Sequence, residues 1–355
     1  MREGPVPDRR PTSAPRPTSA DVARLAGVSR TAVSFVLNGR GTGNISAENA
    51  DRIRAAAAQL GYVANSAAVN LRRRSTATLG VITDEITQSP FAGRLLQGAR
   101  EAAYARGYVT IVADYGRDPA REREMVAALR ARQVDGFVHA AMSMREYEPA
   151  AGMLEVPALL ANCVSRKGPA GVIADEEQGG ALAVEAVLSR GHTRVAMLAG
   201  VEGARRESAT ERRIAGVQRA AAAAGARVRV VDAGWQIADG VRWGTALLDA
   251  PAGERPTALL AARDRVALGV LLAAAHLGLR VPEDVCVVGY DDEDQIAAEA
   301  VPALTTVALP HQQIGERTVD LLLAHLLDGD PLPDSDVRVP CRLVLRESVG
   351  PAPNR

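Results

Sequence analysis

The chain has 355 residues, 47% of them apolar, and its 42 basic residues balance 42 acidic ones. That length predicts two or three folding units with a sizeable core. No apolar run reaches the roughly 18 residues of a membrane span, the Arg- and Pro-rich start lacks the apolar stretch of a secretory signal, and Cys163, Cys286 and Cys341 form no CxxC pair of the kind that marks a zinc site. The cytoplasm is therefore the expected compartment.

The charge is unevenly spread. Residues 1–76 hold twelve Arg against five acidic residues, while the only Lys is Lys167. Such asymmetry suggests one segment that meets a polyanion and another that does not.

Residues 1–16 contain four Pro and read as a disordered arm. A helical region follows. Thr18 is a candidate helix cap with Asp21 in the first turn, where the helix dipole favours an acid. Val22, Leu25 and Ala26 recur at helical spacing and predict one apolar face. Gly27 ends that helix, and Ser29 caps a second one with Val33, Val36 and Leu37 as its stripe. Two short helices joined by a Gly-containing turn have the helix-turn-helix form. A third helix runs from Ser46 through Ala50, Ile53, Ala57 and Leu60 to Gly61. In this geometry the second helix enters the major groove of DNA by its amino end. It would expose Arg30, Thr31, Ser34 and Phe35. Arg30 suits guanine O6 and N7, and Thr31 suits a hydrogen bond or a thymine methyl.

From Leu79 onward short apolar runs alternate with amphipathic stretches. Strands are expected at 79–82, 109–113, 136–140, 158–161, 171–174, 195–198, 228–231, 258–261, 285–289 and 305–309. Helices are expected near 91–106, 119–132, 178–190, 207–224, 238–249, 264–277 and 311–327. This β-α-β alternation predicts an α/β fold with parallel sheets covered by helices on both faces. About ten strands suit two lobes, with the chain crossing between them near Asp175 and again near 305. Open α/β sheets bind ligands beyond the carboxyl ends of their strands. Asp291 and Asp292 follow such an end, where a carboxylate accepts paired hydrogen bonds from sugar hydroxyls. Phe91 and Trp235 are aromatic candidates for stacking on a sugar face or a purine, although Trp235 is equally readable as core.

DVARLAGVSRTAVSFVLNG at 21–39 and GYVANSAAVNLRR at 61–73 resemble the lactose/galactose repressor (LacI/GalR) family. VDGF at 134–137, RGHTRVAMLAG at 190–200, RRIAG at 212–216, ARDRVALGVL at 262–271, VPEDVCVVGYDD at 281–292 and LTTV at 304–307 continue the resemblance in family order to about Ser348. The resemblance implies a helix-turn-helix domain at 17–64 and a hinge helix with linker at 65–76. It implies a two-lobed core, similar to periplasmic binding proteins, at 77–349, with a short tail at 350–355. It implies a DNA-binding transcriptional regulator, most often a repressor, that works as a homodimer on palindromic operator DNA at the nucleoid. Thr18, Ser29, Arg30, Thr31, Ser34, Phe35, Asn38 and Asn65 are then the DNA-facing set. Ala68 would lie where paired hinge helices meet, and Leu71 would wedge into a minor-groove base step. Arg72–Arg74 would sit near phosphates. Many members carry Arg where this chain has Phe35.

For the core, the resemblance implies a small effector, a sugar or sugar derivative. It places effector contacts at Arg213 and Asp291. Arg263 stands where many members have Asn, before the matching Asp264. The extra charge makes an anionic or phosphorylated sugar a candidate. No metal or other cofactor is expected, because the acidic cluster at 291–294 lacks EF-hand spacing and a completing His or Asp group. No GxSxG, Walker A or HExxH motif is present, so no catalytic residue is assigned. The competing readings are a solute-binding protein of the same two-lobed form and a sugar-modifying enzyme. The expected mechanism is a population shift: the effector favours one lobe arrangement and thereby the fit of the hinges to DNA.

Overall fold

The computed structural model describes residues 17–37, 45–62, 75–86, 89–201, 208–293 and 295–353. Asn38, Asn65, Ala68, Leu71, Arg72–Arg74, the expected hinge helix and the 1–16 arm lie outside the described residues. The chain divides after Thr76 into two units.

The first unit holds α1 (Ser19–Ala26), α2 (Arg30–Leu37) and α3 (Ala47–Leu60). Val22, Ala23, Ala26, Val33, Val36, Ile53, Ala56 and Ala57 form its small core. Leu25 departs from the sequence expectation: it is 47% exposed, while Ala23 is buried. The buried stripe of α1 therefore runs through Val22, Ala23 and Ala26, rotated from the expected face, because α2 and α3 both cover the small-residue side. Gly27 has φ +67°, and a Cβ there would lie 2.8 Å from Arg52 Nη2. The turn thus needs glycine both for its left-handed backbone and for the Arg52 guanidinium, which donates to the Ala26 carbonyl.

In the second unit the chain first lays down β1 (Thr78–Thr83), α4 (Ala92–Ala105), β2 (Val109–Asp114), α5 (Pro119–Ala131), β3 (Gly136–Ala140), β4 (Ala158–Ala161) and β5 (Gly171–Ala174). It continues with α6 (Glu176–Leu188), β6 (Val195–Ala199), α7 (Ser208–Ala223), β7 (Val228–Asp232), α8 (Ile237–Leu248), β8 (Ala258–Ala261), α9 (Asp264–His276), β9 (Cys286–Asp291) and β10 (Thr305–Ala308). Last come α10 (His311–Asp328), β11 (Val337–Val339) and β12 (Arg342–Val344). Two six-stranded sheets result, ordered β11-β5-β4-β3-β1-β2 and β12-β10-β9-β8-β6-β7. Every pairing between named strands is parallel except β10 with β12. The central strands are buried throughout, as parallel strands covered on both faces must be.

The chain passes between the sheets three times: after β5, after β10, and between β11 and β12. The third passage was not anticipated. β11 and β12 have three residues each, separated by Pro340 and Cys341, too short for any periodic signal. They exist as strands because the chain runs past an open edge of each sheet and pairs with β5 on one side and β10 on the other. At this passage Cys341 N–H donates to Gln178 Oε1 (2.8 Å) and the Gln178 amide donates back to the Cys341 carbonyl (3.3 Å). That reciprocal pair ties the third crossing to the start of α6, beside the first.

Helices α6 and α7 approach closely enough that a Cβ on Gly180 would stand 2.1 Å from the Arg213 carbonyl, and one on Gly216 1.9 Å from the Glu177 carbonyl. Two glycines therefore set the helix separation, and with it the distance from Glu176 on α6 to Arg213 on α7.

Candidate functional site

In the first unit the Thr18 hydroxyl donates to Asp21 Oδ2 (2.7 Å), and Asp21 receives the Thr18 N–H (2.9 Å), a capping box. Ser29 Oγ accepts the Ala32 N–H (3.1 Å) and so caps α2. Both residues are exposed, but their hydroxyls are engaged in the caps. Arg30, Thr31 and Phe35 stand exposed on α2, with Ser34 half-buried between them. Phe35 is 37% exposed, so it is not a core residue of this unit. Among the sequence candidates within the described residues, α2 thus presents one guanidinium, one hydroxyl and one aromatic ring on its outer side. That surface has the chemistry for base edges and thymine methyls.

In the second unit a cleft of about 420 Å³ opens where the strands of both sheets end. Asn162 follows β4, Glu176 follows β5, Arg263 follows β8, Asp291 closes β9 and Leu309 follows β10. Phe91, Arg213, Trp235, Arg263 and Asp291 all line it. Asp264 does not. It is wholly buried, accepting the Thr306 hydroxyl (2.6 Å) and the Glu293 N–H (2.7 Å). Both carboxylate oxygens are occupied within the fold, so Asp264 shapes the loop after β9 rather than facing a ligand. Burial raises its pKa to about 7, against the lowering effect of the Thr306 and Glu293 hydrogen bonds.

The floor of the cleft is an ionic cluster. Arg213 Nε and Nη2 meet Glu176 Oε2 and Oε1 at 2.7 and 3.0 Å, a bidentate pair. Its Nη1 donates to the Ala262 carbonyl (2.6 Å), and its guanidinium lies 3.9 Å from the Tyr290 ring centre. Tyr290 donates its hydroxyl to Glu176 Oε2 (2.8 Å). Asp291 lies 3.8 Å from Arg213 Nη2 and 3.5 Å from Arg263 Nε. Burial holds the Asp291 carboxyl well above the usual carboxylate range, with the two guanidiniums pulling the other way. Asp291 and Asp292 both have positive φ, 109° and 54°. Such backbone strain in non-glycine residues persists only where surrounding structure enforces it. Here Arg346 holds Asp292 (2.7 Å), and the Asp264 carboxylate holds the next N–H.

The wall on the side of the first lobe is aromatic and sulfur-lined. Phe91 stacks on His311 at 4.7 Å and 13°, and the Arg263 guanidinium reaches 5.7 Å from the Phe91 ring centre. That contact spans the cleft, since Phe91 precedes α4 and Arg263 precedes α9. His311 is buried, and burial with the nearby Arg94 and Arg213 lowers its pKa to about 3. Its Nδ1 and the Trp235 Nε1 are enclosed without a hydrogen-bond partner among the described residues. Sequence reasoning missed His311, Asn162, Glu176 and Tyr290. Of these, only Asn162 and Glu176 carried a signal, their position just after apolar strands.

Behind that wall, Asp84 is fully buried, pairs with Arg145 (2.9 Å) and accepts the Met142 N–H (3.0 Å). Arg145 donates to the Tyr115 hydroxyl (2.7 Å), which meets His139 Nε2 at 3.3 Å. This network fixes the Met142–Met144 segment of the cleft. Among the described residues no group of His, Cys, Asp and Glu is arranged to hold a metal ion, and no helix is long and apolar enough to cross a membrane.

Known proteins match both units. Residues 18–65 match the model of bacterial regulatory proteins of the lacI family, and residues 184–349 match that of the periplasmic binding protein-like domain. The HTH-type transcriptional repressor PurR of Vibrio vulnificus is 30% identical over 88% of this chain and 93% of its own length. The chain belongs to the LacI family.

This LacI-family chain is a transcriptional regulator with a helix-turn-helix unit and an effector-binding core. The structure of the Lac repressor dimer bound to operator and the anti-inducer ONPF matches with a TM-score of 0.76 at 27% identity, over 94% of this chain and 99% of that one. The complex of the regulator CelR with cellobiose matches at 0.62 and 29%, over 94% of this chain and all of that one. The relatives compared are regulators of transcription, not enzymes.

Proposed function

We propose that this regulator represses transcription by binding a two-fold operator as a homodimer, and that an uncharged sugar closing the cleft changes its operator affinity. The pairing of every arginine on the cleft wall among the described residues supports the effector assignment. Arg213 is held by Glu176, Arg263 faces Asp291, and Arg117 is held by Glu85 (2.8 Å). Among the described residues the lining therefore carries three guanidiniums and three carboxyl groups. An anionic sugar would have to compete with these acids. A polyol instead meets donors and acceptors side by side, with Phe91 and Trp235 to cover a sugar face. Arg263 thus faces a carboxyl group of the fold itself, and a neutral polyol is favoured over the anionic effector considered from sequence. CelR, a relative, is seen with cellobiose.

The dimer is supported by the outer strand of the first lobe. β2 pairs only with β1 and leaves Val109 63%, Ile111 38% and Val112 43% exposed, beside Tyr104 at 82%. An unpaired apolar margin of this kind is what a second copy would cover. A DNA-bound Lac repressor is a dimer.

The test is selection of genomic fragments by the purified full chain, followed by operator titrations with neutral sugars, sugar phosphates and purine bases. A palindromic site whose affinity shifts with a neutral sugar supports the proposal. By linkage the operator must shift sugar affinity by the same factor. Equal sugar affinity with and without operator refutes the coupling, and a response to sugar phosphates alone refutes the neutral effector.

A further inference from the structure

A second hollow, of about 510 Å³, lies at the other end of the second-lobe sheet. It is built where β6 and β7 begin, opposite the strand ends that form the effector cleft. Arg194 precedes β6, Arg227 precedes β7, and Arg229 is the second residue of β7. Trp243 and Leu247 of α8, with Pro256, supply an apolar wall.

Arg229 lies on the edge strand with its side chain exposed. In β7, alternate residues face opposite sides of the sheet. Val228 and Val230 pack into one core, and Val231 into the other, beside Leu247 and Trp243. Arg229 shares the side of Val231 and pairs in register with buried Ala196. Arg227 and Arg229 are both exposed and border an open hollow with Trp243, whose ring also has the Arg242 guanidinium 5.3 Å from its centre. Neither forms a hydrogen bond or ion pair with a described residue. Arg194 is fixed by the carbonyls of Arg255 (3.0 Å) and Ala252 (3.4 Å), which orient it without neutralising it. Glu254 is the one acid on this wall. The contrast with the effector cleft is direct: there, among the described residues, each guanidinium faces a carboxyl group.

We infer that this hollow is a second ligand site, for a small organic anion with a planar ring: the ring against Trp243 and the charged group between Arg227 and Arg229. Its size suits a drug-sized molecule, and guanidiniums favour forked binding of carboxylate or phosphate. The inference is independent of the effector assigned to the cleft.

Trp235 and Trp243 are the only tryptophans, so the full chain carrying Trp235→Phe reports on Trp243 alone. Adenosine 5′-monophosphate, adenosine and inorganic phosphate serve as probes. The expected result is saturable quenching of Trp243 by the monophosphate, none by adenosine at the same concentrations, and affinity at least about tenfold lower in the Arg227→Gln, Arg229→Gln variant. Both arginines are exposed, so the variant should keep its urea midpoint, and that is checked in parallel. Absent quenching, equal quenching by adenosine, or an affinity unchanged by removing both arginines overturns the site. Competition by inorganic phosphate as strong as that of the monophosphate overturns the role given to the ring.

Discussion

Replacing Arg213 by Met should destabilise the core by about 3–5 kcal/mol, the usual effect of stranding one member of a buried ion pair. The side chains of Arg213 and Glu176 are 6% and 2% exposed. Removing the guanidinium takes away both donors to Glu176 and the donor to Ala262, and leaves Tyr290 as the remaining polar partner of a buried carboxylate. Adding Glu176→Gln to that variant removes the stranded charge while keeping an acceptor for Tyr290. The double variant should therefore recover about 2 kcal/mol, within the range measured for residues in contact. The assay is urea unfolding of the full chain followed by tryptophan emission. Both tryptophans lie in the second unit, so the signal reads the core and not the helix-turn-helix. The reasoning is refuted if Arg213→Met loses less than about 1 kcal/mol, or if the double variant is no more stable than Arg213→Met alone.

Asp264 supplies a pH test. Its folded pKa, about 7, lies above its ordinary value near 3.8, so the folded state binds the proton more tightly. Its stabilising contribution is then greatest below pH 4 and is lost as pH rises through 7. Asp264→Asn should gain stability relative to the parent across that window, by up to about 4 kcal/mol if the shift is fully felt; a difference that is flat with pH sinks the assignment. Gly27→Ala should lower the melting temperature of the helix-turn-helix unit, measured by circular dichroism, since a Cβ meets both a left-handed backbone and Arg52. The expected loss is about 1 kcal/mol or more. Arg30→Ala should weaken operator binding by about 1–3 kcal/mol and relax preference at one base pair, read by competition among operator variants; a uniform loss across sequences would instead mark a phosphate contact. Ile111→Glu should shift sedimentation from dimer toward monomer, and an unchanged dimer would move the interface elsewhere.

The α/β class, ten of the twelve strands and all ten helices among the described residues were legible in the sequence, because burial on both faces leaves apolar runs and caps leave their own residues. The caps at Thr18, Ser29 and Ser46 and the terminal glycines Gly27 and Gly61 show the same local legibility. The sequence also marked Phe91, Arg213, Trp235, Arg263 and Asp291, which the fold gathers around one cleft. What it could not state is which charge meets which. Arg263 alone reads as an added positive charge; only the approach of β8 to β9 brings the Asp291 carboxyl within 3.5 Å of it. Asp264 alone reads as a ligand contact; the return of β10 beside β9 gives its oxygens to Thr306 and Glu293. Strands β11 and β12 are three residues each and take their form from sheet edges laid down more than thirty residues away in sequence. Local pattern sets an element's type because hydrogen bonding and side-chain periodicity are local. The partner of a charge, and so the chemistry of a cleft, is set by contacts between segments distant in the chain.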